Sequence, residues 1–144
     1  MNQGKLVKIW GATAILAFMI EGAFAFLRRG LIANNEIIPW HPPDAHDYLV
    51  FVAVSIIGGF AFAYIFLRGY QGRGWMEGLR YGIWVTLLAS VTEVATFAAQ
   101  LNMGRRVPLS FIVGDLVTFI ICGVVAALIA GCASAQLQSS AAAA

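Results

Sequence analysis

Charged residues are scarce in this sequence. Only 11% of its 144 residues are Asp, Glu, Lys or Arg, whereas 60% are hydrophobic, and the mean hydropathy is +0.82. A typical soluble domain has about 25% charged residues. The composition therefore excludes an ordinary water-soluble domain. The formal net charge of +2 is also too small to indicate nucleic-acid binding.

Cysteine and histidine are scarce as well, with two of each. Cys122 and Cys132 lie ten residues apart on one presumed helix, which is too far for a disulfide between them, and we interpret them as small buried residues. No histidine lies in a long apolar run, so paired axial ligands for a buried haem are missing. His41 and His46 are the candidate metal ligands, but the prolines around them break any helical register, and we expect no metal site.

Recognisable catalytic motifs are also missing. The sequence contains no nucleophile with a nearby base, no phosphate-binding loop and no zinc motif. The segment Gly72-Arg73-Gly74 is typical of a turn. We therefore expect no enzymatic activity from this chain alone, and no cofactor is directly indicated.

Four long apolar runs are the main feature that is present. A helix needs about 20 apolar residues to span a bilayer. The runs are long and lack the alternation of barrel strands, so they predict helices. We predict an all-α membrane protein, a four-transmembrane-helix bundle with up-down topology. It forms a single domain over residues 1–132, followed by an Ala/Ser-rich tail over 133–144, and its helices cover about 6–27, 48–67, 79–101 and 109–131.

The connections predict an orientation. The longest, residues 28–47, contains three prolines within five residues, which exclude a regular helix there. Lys and Arg are enriched in cytoplasmic loops. If the N-terminus is inside, five basic residues lie inside and four outside, which favours cytoplasmic termini; the five are Lys5, Lys8, Arg68, Arg73 and Arg80. Because the first run ends in Leu27-Arg28-Arg29, without a small-residue cleavage site, we expect no cleaved signal peptide.

Small residues recur at every fourth position in two runs. Such ridges let membrane helices approach closely. They predict tight packing within the bundle or between subunits. The fourth run contributes Ser110, Gly114, Thr118, Cys122, Ala126 and Ala130, and the second contributes Ser55, Gly59 and Ala63.

Three acids, Glu21, Glu93 and Asp115, lie inside apolar runs. Because successive helices alternate in direction, all three are displaced by about 4–8 Å toward the membrane face of the 28–47 loop. One interpretation is a polar pocket in that leaflet, which binds a proton, a cation, a headgroup or a quinone-like ring. Its lining is Glu21, Ser90, Glu93, Thr96, Gln100 and Asp115, with Arg28, Arg29, Arg105 and Arg106 at its mouth or binding headgroups. The other interpretation is that each acid is a structural hydrogen-bonding group.

The third run carries a polar stripe. Its members follow 4-3-3-4 spacing and therefore share one helix face. They are Thr86, Ser90, Glu93, Thr96 and Gln100. A polar stripe facing lipid is costly. We expect the stripe to face the bundle interior or another subunit.

Residues 67–82 have the sequence LRGYQGRGWMEGLRYG. This segment resembles the link between the second and third helices of small, uncharacterised bacterial four-helix integral membrane proteins. The similarity lies in the aromatic after glycine, the Gly-basic-Gly, and the Glu-Gly-Leu-Arg-aromatic-Gly that opens the third helix. The similarity extends over the second and third helices and their link, about a third of the chain. It implies the fold and a bacterial origin, and no activity.

These observations lead to one hypothesis and two alternatives. We expect an accessory or structural subunit of a larger assembly in the bacterial inner membrane. Its partners are the lipid bilayer and either other membrane subunits or further copies of itself, as in an oligomer. The first alternative is a small proton- or cation-coupled transporter or channel that uses the intramembrane acids. The second is an intramembrane binder of a lipid, a quinone or a pigment.

Overall fold

A computed structural model describes the backbone of residues 3–33, 44–100 and 106–142, and side chains within 3–29, 44–92 and 109–132. All regular structure in these ranges is helical. The helices are α1 (Gln3–Ala33), α2 (Ala45–Gly69), α3 (Trp75–Gln100) and α4 (Arg106–Ala142). The predicted all-α class is therefore confirmed. Three of the helices are long and apolar enough to cross a membrane, over Gln3–Arg29, Ala45–Gly69 and Leu109–Cys132.

The helices extend beyond the apolar runs. Helix α1 continues to Ala33, and α2 begins at Ala45, so helix occupies both ends of the segment predicted as a loop. Helix α4 continues to Ala142, through residues predicted as a tail. Hydropathy marks the thickness of the hydrocarbon core, whereas a helix ends where its backbone hydrogen bonding ends. Arg, Gln and Ala are good helix formers, so helices continue past the apolar runs.

A capping box starts α2. The Asp44 carboxylate accepts a hydrogen bond from the Asp47 backbone N–H at 2.9 Å, and the Asp47 carboxylate accepts one from the Asp44 N–H at 3.1 Å. This reciprocal pair satisfies two backbone donors at the helix start. The sequence therefore fixes this helix end locally, independently of the bundle.

A glycine turn joins α2 to α3. Gly72 and Gly74 have φ angles of +82° and +74°, in the left-handed region that favours glycine. The Glu77 carboxylate accepts hydrogen bonds from the backbone N–H groups of Gln71, at 2.6 Å, and Arg73, at 2.9 Å. One side chain in the first turn of α3 thus holds the preceding turn in place.

Neighbouring helices pack antiparallel. Helix α4 lies along both α1 and α3, and α1 also lies along α2. Between α1 and α4, Thr13 is near Cys122, and Glu21 is near Thr118. The buried apolar core lies near the end of the bundle formed by the α2–α3 link and consists of Ile9, Phe62, Ala63, Phe66, Cys122, Ala126, Ala127 and Ala130.

Glycine permits the closest backbone contacts. A Cβ on Gly78 would collide with the carbonyl oxygen of Gly123, and a Cβ on Gly82 would lie 2.8 Å from the Cα of Ile120. On the other side of the bundle, a Cβ on Gly59 would lie 2.9 Å from the Cα of Ala14. Both helix pairs therefore approach at distances that only a missing side chain allows.

The predicted ridges lie at interfaces of α1, with α4 and with α2. Ser110 and Ser55 are half-buried, and the remaining ridge positions are buried. On α4 the ridge faces α1, as the contacts of Thr118 and Cys122 show. The contact with α3 uses a second set of small residues on α4, which includes Gly123 and lies one position away from the ridge.

Candidate functional site

An ion pair lies between α1 and α4. The Arg28 guanidinium donates to the Glu21 carboxylate at 3.2 Å, and the two side chains are only 7% and 23% exposed. The residues are seven positions apart, so they share one helix face two turns apart. Long side chains on a helix lean toward its N-terminus, which brings Arg28 back to Glu21. Thr118 on α4 donates its hydroxyl to the second Glu21 oxygen at 2.6 Å.

Aromatic rings and a glycine enclose Arg28. Its guanidinium carbon lies 4.1 Å from the ring centre of Phe111 and 5.6 Å from that of Phe24. A Cβ on Gly114 would collide with the guanidinium, so this glycine provides the space that the arginine occupies. Cation–π contact partly replaces lost water around a buried charge. The Arg28 Nε is buried and has no hydrogen-bond partner among the described residues.

The position of Arg28 corrects one expectation. It was predicted at a pocket mouth on the membrane surface, but it is buried within the bundle. The reason is that α1 continues past the apolar run, which keeps Arg28 in helical register with Glu21. Arg29 is exposed. The side chains of Arg105 and Arg106 lie outside the described residues.

A second polar group lies on the opposite side of α4. The Ser90 hydroxyl donates to the Asp115 carboxylate at 3.3 Å. The Thr86 hydroxyl lies 2.8 Å from the Gly82 carbonyl and 3.5 Å from that of Asp115. Asp115 is only 8% exposed, and Ser90 and Thr86 are buried. The start of the predicted polar stripe therefore faces α4, while the side chains of Glu93, Thr96 and Gln100 lie outside the described residues.

Helix α4 separates the two polar groups. Asp115 faces α3, whereas Thr118 faces Glu21 on α1. The α4 positions are less than one turn apart, about 4.5 Å along the axis, so both groups lie at similar depth. Among the described residues, the predicted pocket is thus divided between two helix interfaces. Each acid there is hydrogen-bonded by a hydroxyl group from a neighbouring helix.

A groove lies at the other end of the bundle. Its volume is about 300 Å³, and its lining includes Phe66, Tyr70, Arg73, Met76, Arg80 and Tyr81. This segment was predicted as a turn, and the groove was not predicted. The signal was present as two arginines seven residues apart, with Trp75 between them and Tyr70 and Tyr81 on either side.

Two tyrosines fix the groove wall. The Tyr70 hydroxyl donates to the Ala127 carbonyl, and the Tyr81 hydroxyl donates to the Phe62 carbonyl, both at 3.4 Å. Burial raises the pKa of Tyr70, and the nearby Glu77 carboxylate raises it further. The Tyr70 phenol therefore stays protonated at neutral pH and remains a hydrogen-bond donor.

Three potential metal ligands meet at the start of α2. The ligand atoms of Asp44, His46 and Asp47 lie within 4.8 Å of one another. Both carboxylates accept backbone hydrogen bonds in the capping box, which accounts for their proximity. His41 lies outside the described residues. The expectation that the chain has no metal site stays a prediction.

The chain matches no protein-family model, no curated protein and no solved structure. The resemblance of residues 67–82 to bacterial four-helix membrane proteins therefore stays a prediction.

Proposed function

We propose that this chain is a four-span protein of the bacterial inner membrane, with both termini in the cytoplasm. It serves as an accessory or structural subunit of a larger membrane assembly. The observation that carries this proposal is the buried Glu21–Arg28 pair with its hydrogen bond from Thr118. Here an intramembrane acid joins one helix to another.

Helix α3 is the proposed fourth span. It has 26 residues and is therefore about 39 Å long, which exceeds the roughly 30 Å hydrocarbon core. Glu77 and Arg80 lower the hydropathy of its described part, which explains why α3 is not among the three apolar spans. It lies beside the apolar helix α4 from Gly78 to Ser90, over roughly 18 Å. Its outward face is apolar, with Trp84 and Leu88 at least 70% exposed.

The ion pair with Arg28 supports a structural role for Glu21. An ionised acid in an apolar interior is costly unless a counter-charge and hydrogen bonds compensate it. Glu21 has both, since Arg28 supplies the charge and Thr118 an additional donor. The pair lies on α1, and the hydroxyl comes from α4. The arrangement therefore fixes the register of α1 against α4.

The exposed apolar face of α2 supports the proposal of a partner subunit. Helix α2 packs chiefly along α1 and touches α4 little. Its large apolar side chains remain well exposed, including Leu49 at 70% and Ile57 at 68%. An apolar surface of this kind contacts lipid or another membrane subunit.

Mild detergent extraction of the chain from its native membrane tests the proposal. The extract is separated by size, and the proteins that migrate with the chain are identified. We expect larger, unrelated membrane proteins in a fixed ratio to the chain. A homo-oligomer alone would contradict the accessory role and favour the transporter.

The transporter is a second candidate, and Asp115 favours it. Its carboxylate is buried and accepts a hydrogen bond from the Ser90 hydroxyl. An acid in such surroundings is a candidate proton carrier. If the chain transports protons, Asp115→Asn in reconstituted vesicles is expected to abolish proton uptake, while Lys8→Gln at an exposed position leaves it intact. Uptake that survives Asp115→Asn would exclude this role for Asp115.

A further inference from the structure

The groove at the α2–α3 link has a positive rim. Arg73 and Arg80 line it, and neither side chain has an ion-pair or hydrogen-bond partner in the described part of the chain. Glu77 is the acid in the lining, and both its carboxylate oxygens accept backbone N–H groups of the turn. Two guanidinium groups therefore remain available for an external anion. Guanidinium groups bind phosphate oxygens with paired, charge-assisted hydrogen bonds.

The groove has an apolar wall below this rim. The rings of Phe66 and Tyr81 meet edge to face, with centres 5.2 Å apart, and Met76 adds an apolar side chain. The ligand that fits has a phosphate at one end and a less polar portion at the other. A volume of about 300 Å³ is at the small end of ligand pockets, so it suits a headgroup with its glycerol and excludes the acyl chains.

The location of the groove suits a lipid. It lies where α2 ends and α3 begins, which in the proposed bundle is the membrane interface, and Trp75 and Tyr70 are residue types enriched there. Helices α2 and α3 pack weakly against each other beyond the link. Their exposed apolar faces are available to the acyl chains.

We propose that this groove binds the phosphate headgroup of an anionic phospholipid. Arg73 and Arg80 contact the phosphate, while Phe66, Met76 and Tyr81 contact the glycerol region. Basic pockets between membrane helices bind anionic headgroups by the same chemistry. An anionic lipid is preferred over a zwitterionic one because the rim carries two positive groups and a single, hydrogen-bonded carboxylate.

Native mass spectrometry of the full chain in detergent tests this site. Phosphatidylglycerol and phosphatidylcholine are titrated separately into the wild type and into Arg73→Gln/Arg80→Gln. Each basic side chain contributes about fivefold to binding of an anionic lipid, so we expect the double variant to bind phosphatidylglycerol about thirtyfold more weakly. Wild type is expected to bind phosphatidylcholine at least about fivefold more weakly than phosphatidylglycerol.

Arg68→Gln is the matched control, because Arg68 lies outside the groove, 4.9 Å over the ring of Tyr64. It is expected to change phosphatidylglycerol binding by less than about twofold. An equal loss in this control, or equal binding of both lipids by the wild type, would overturn the proposal. Displacement of lipid by millimolar inorganic phosphate would overturn it too, since it would indicate a soluble anion.

The double variant Arg73→Lys/Arg80→Lys is a control for misfolding of the glutamine variant. It keeps both charges and is expected to retain most of the preference for phosphatidylglycerol, with circular dichroism as the measure of folding. Loss of the preference in a folded lysine variant would contradict a charge-selected site. The groove lies at the opposite end of the bundle from Glu21 and Asp115. This result is therefore independent of the proposed accessory role.

Discussion

Gly78→Val is expected to separate α3 from α4 and to lower the free energy of unfolding by about 3 kcal/mol. A Cβ at this position collides with the carbonyl oxygen of Gly123, which is backbone and cannot rotate away. The two helices must therefore move apart along their whole contact. The measurement is the thermal or denaturant unfolding midpoint of the purified protein in one detergent.

Gly58→Ala is the control for this prediction. Gly58 is also helical, but a Cβ there meets nothing within 4 Å. The free energy of unfolding is expected to change by no more than about 0.5 kcal/mol. If Gly78→Val were as stable as Gly58→Ala, the close contact of α3 with α4 would be wrong.

Removing either partner of the Glu21–Arg28 pair is expected to cause the second large loss in the free energy of unfolding. Arg28→Met leaves the Glu21 carboxylate without its counter-charge, and Glu21→Gln leaves the buried Arg28 charge without its anion. Losing one partner of a buried pair costs about 3–5 kcal/mol. Because Glu21 is 23% exposed, we expect losses at the lower end, about 3 kcal/mol each, measured by unfolding in the same detergent.

The double variant Glu21→Gln/Arg28→Met removes both charges at once. Its loss is expected to be smaller than the sum of the single losses, with a coupling free energy of about 2 kcal/mol. Lys8→Met removes an exposed charge on the same helix and is expected to have little effect. Additive single losses would mean that the two side chains do not stabilise each other.

The sequence predicts only part of the packing on which these stability effects depend. The recurrence of small residues on the fourth run predicts close packing, and Gly114, Thr118 and Cys122 are buried on the face toward α1. The contact of Gly78 with Gly123 lies outside that ridge and was missed. A repeat in one helix identifies a face that is able to pack. The choice of partner depends on how the neighbouring helix is rotated, which no single run encodes.

The polar groups show the same limit. Alternating helix directions place Glu21 and Asp115 at similar depth, and their contacts lie less than one turn apart on α4. The sequence does not show that α4 lies between these two acids. A shared depth follows from counting residues along each helix. A shared pocket depends on the angular positions of the side chains around the helices.

Local sequence determines the helical class, the glycine turn and the start of α2, although the apolar run alone placed that start at about residue 48 and not at Ala45. Each of these depends on local chemistry: apolar length, positive φ at Gly72 and Gly74, and the Asp44–Asp47 capping box. The tertiary structure decided that Arg28 is buried beside Glu21 and that Arg73 and Arg80 share a groove. The first depends on the extension of α1 beyond its apolar run, and the second on how the glycine turn places the start of α3 beside the end of α2. Residue hydropathy predicts neither the burial of Arg28 nor the groove, because it measures transfer to lipid and not the packing of one helix against another.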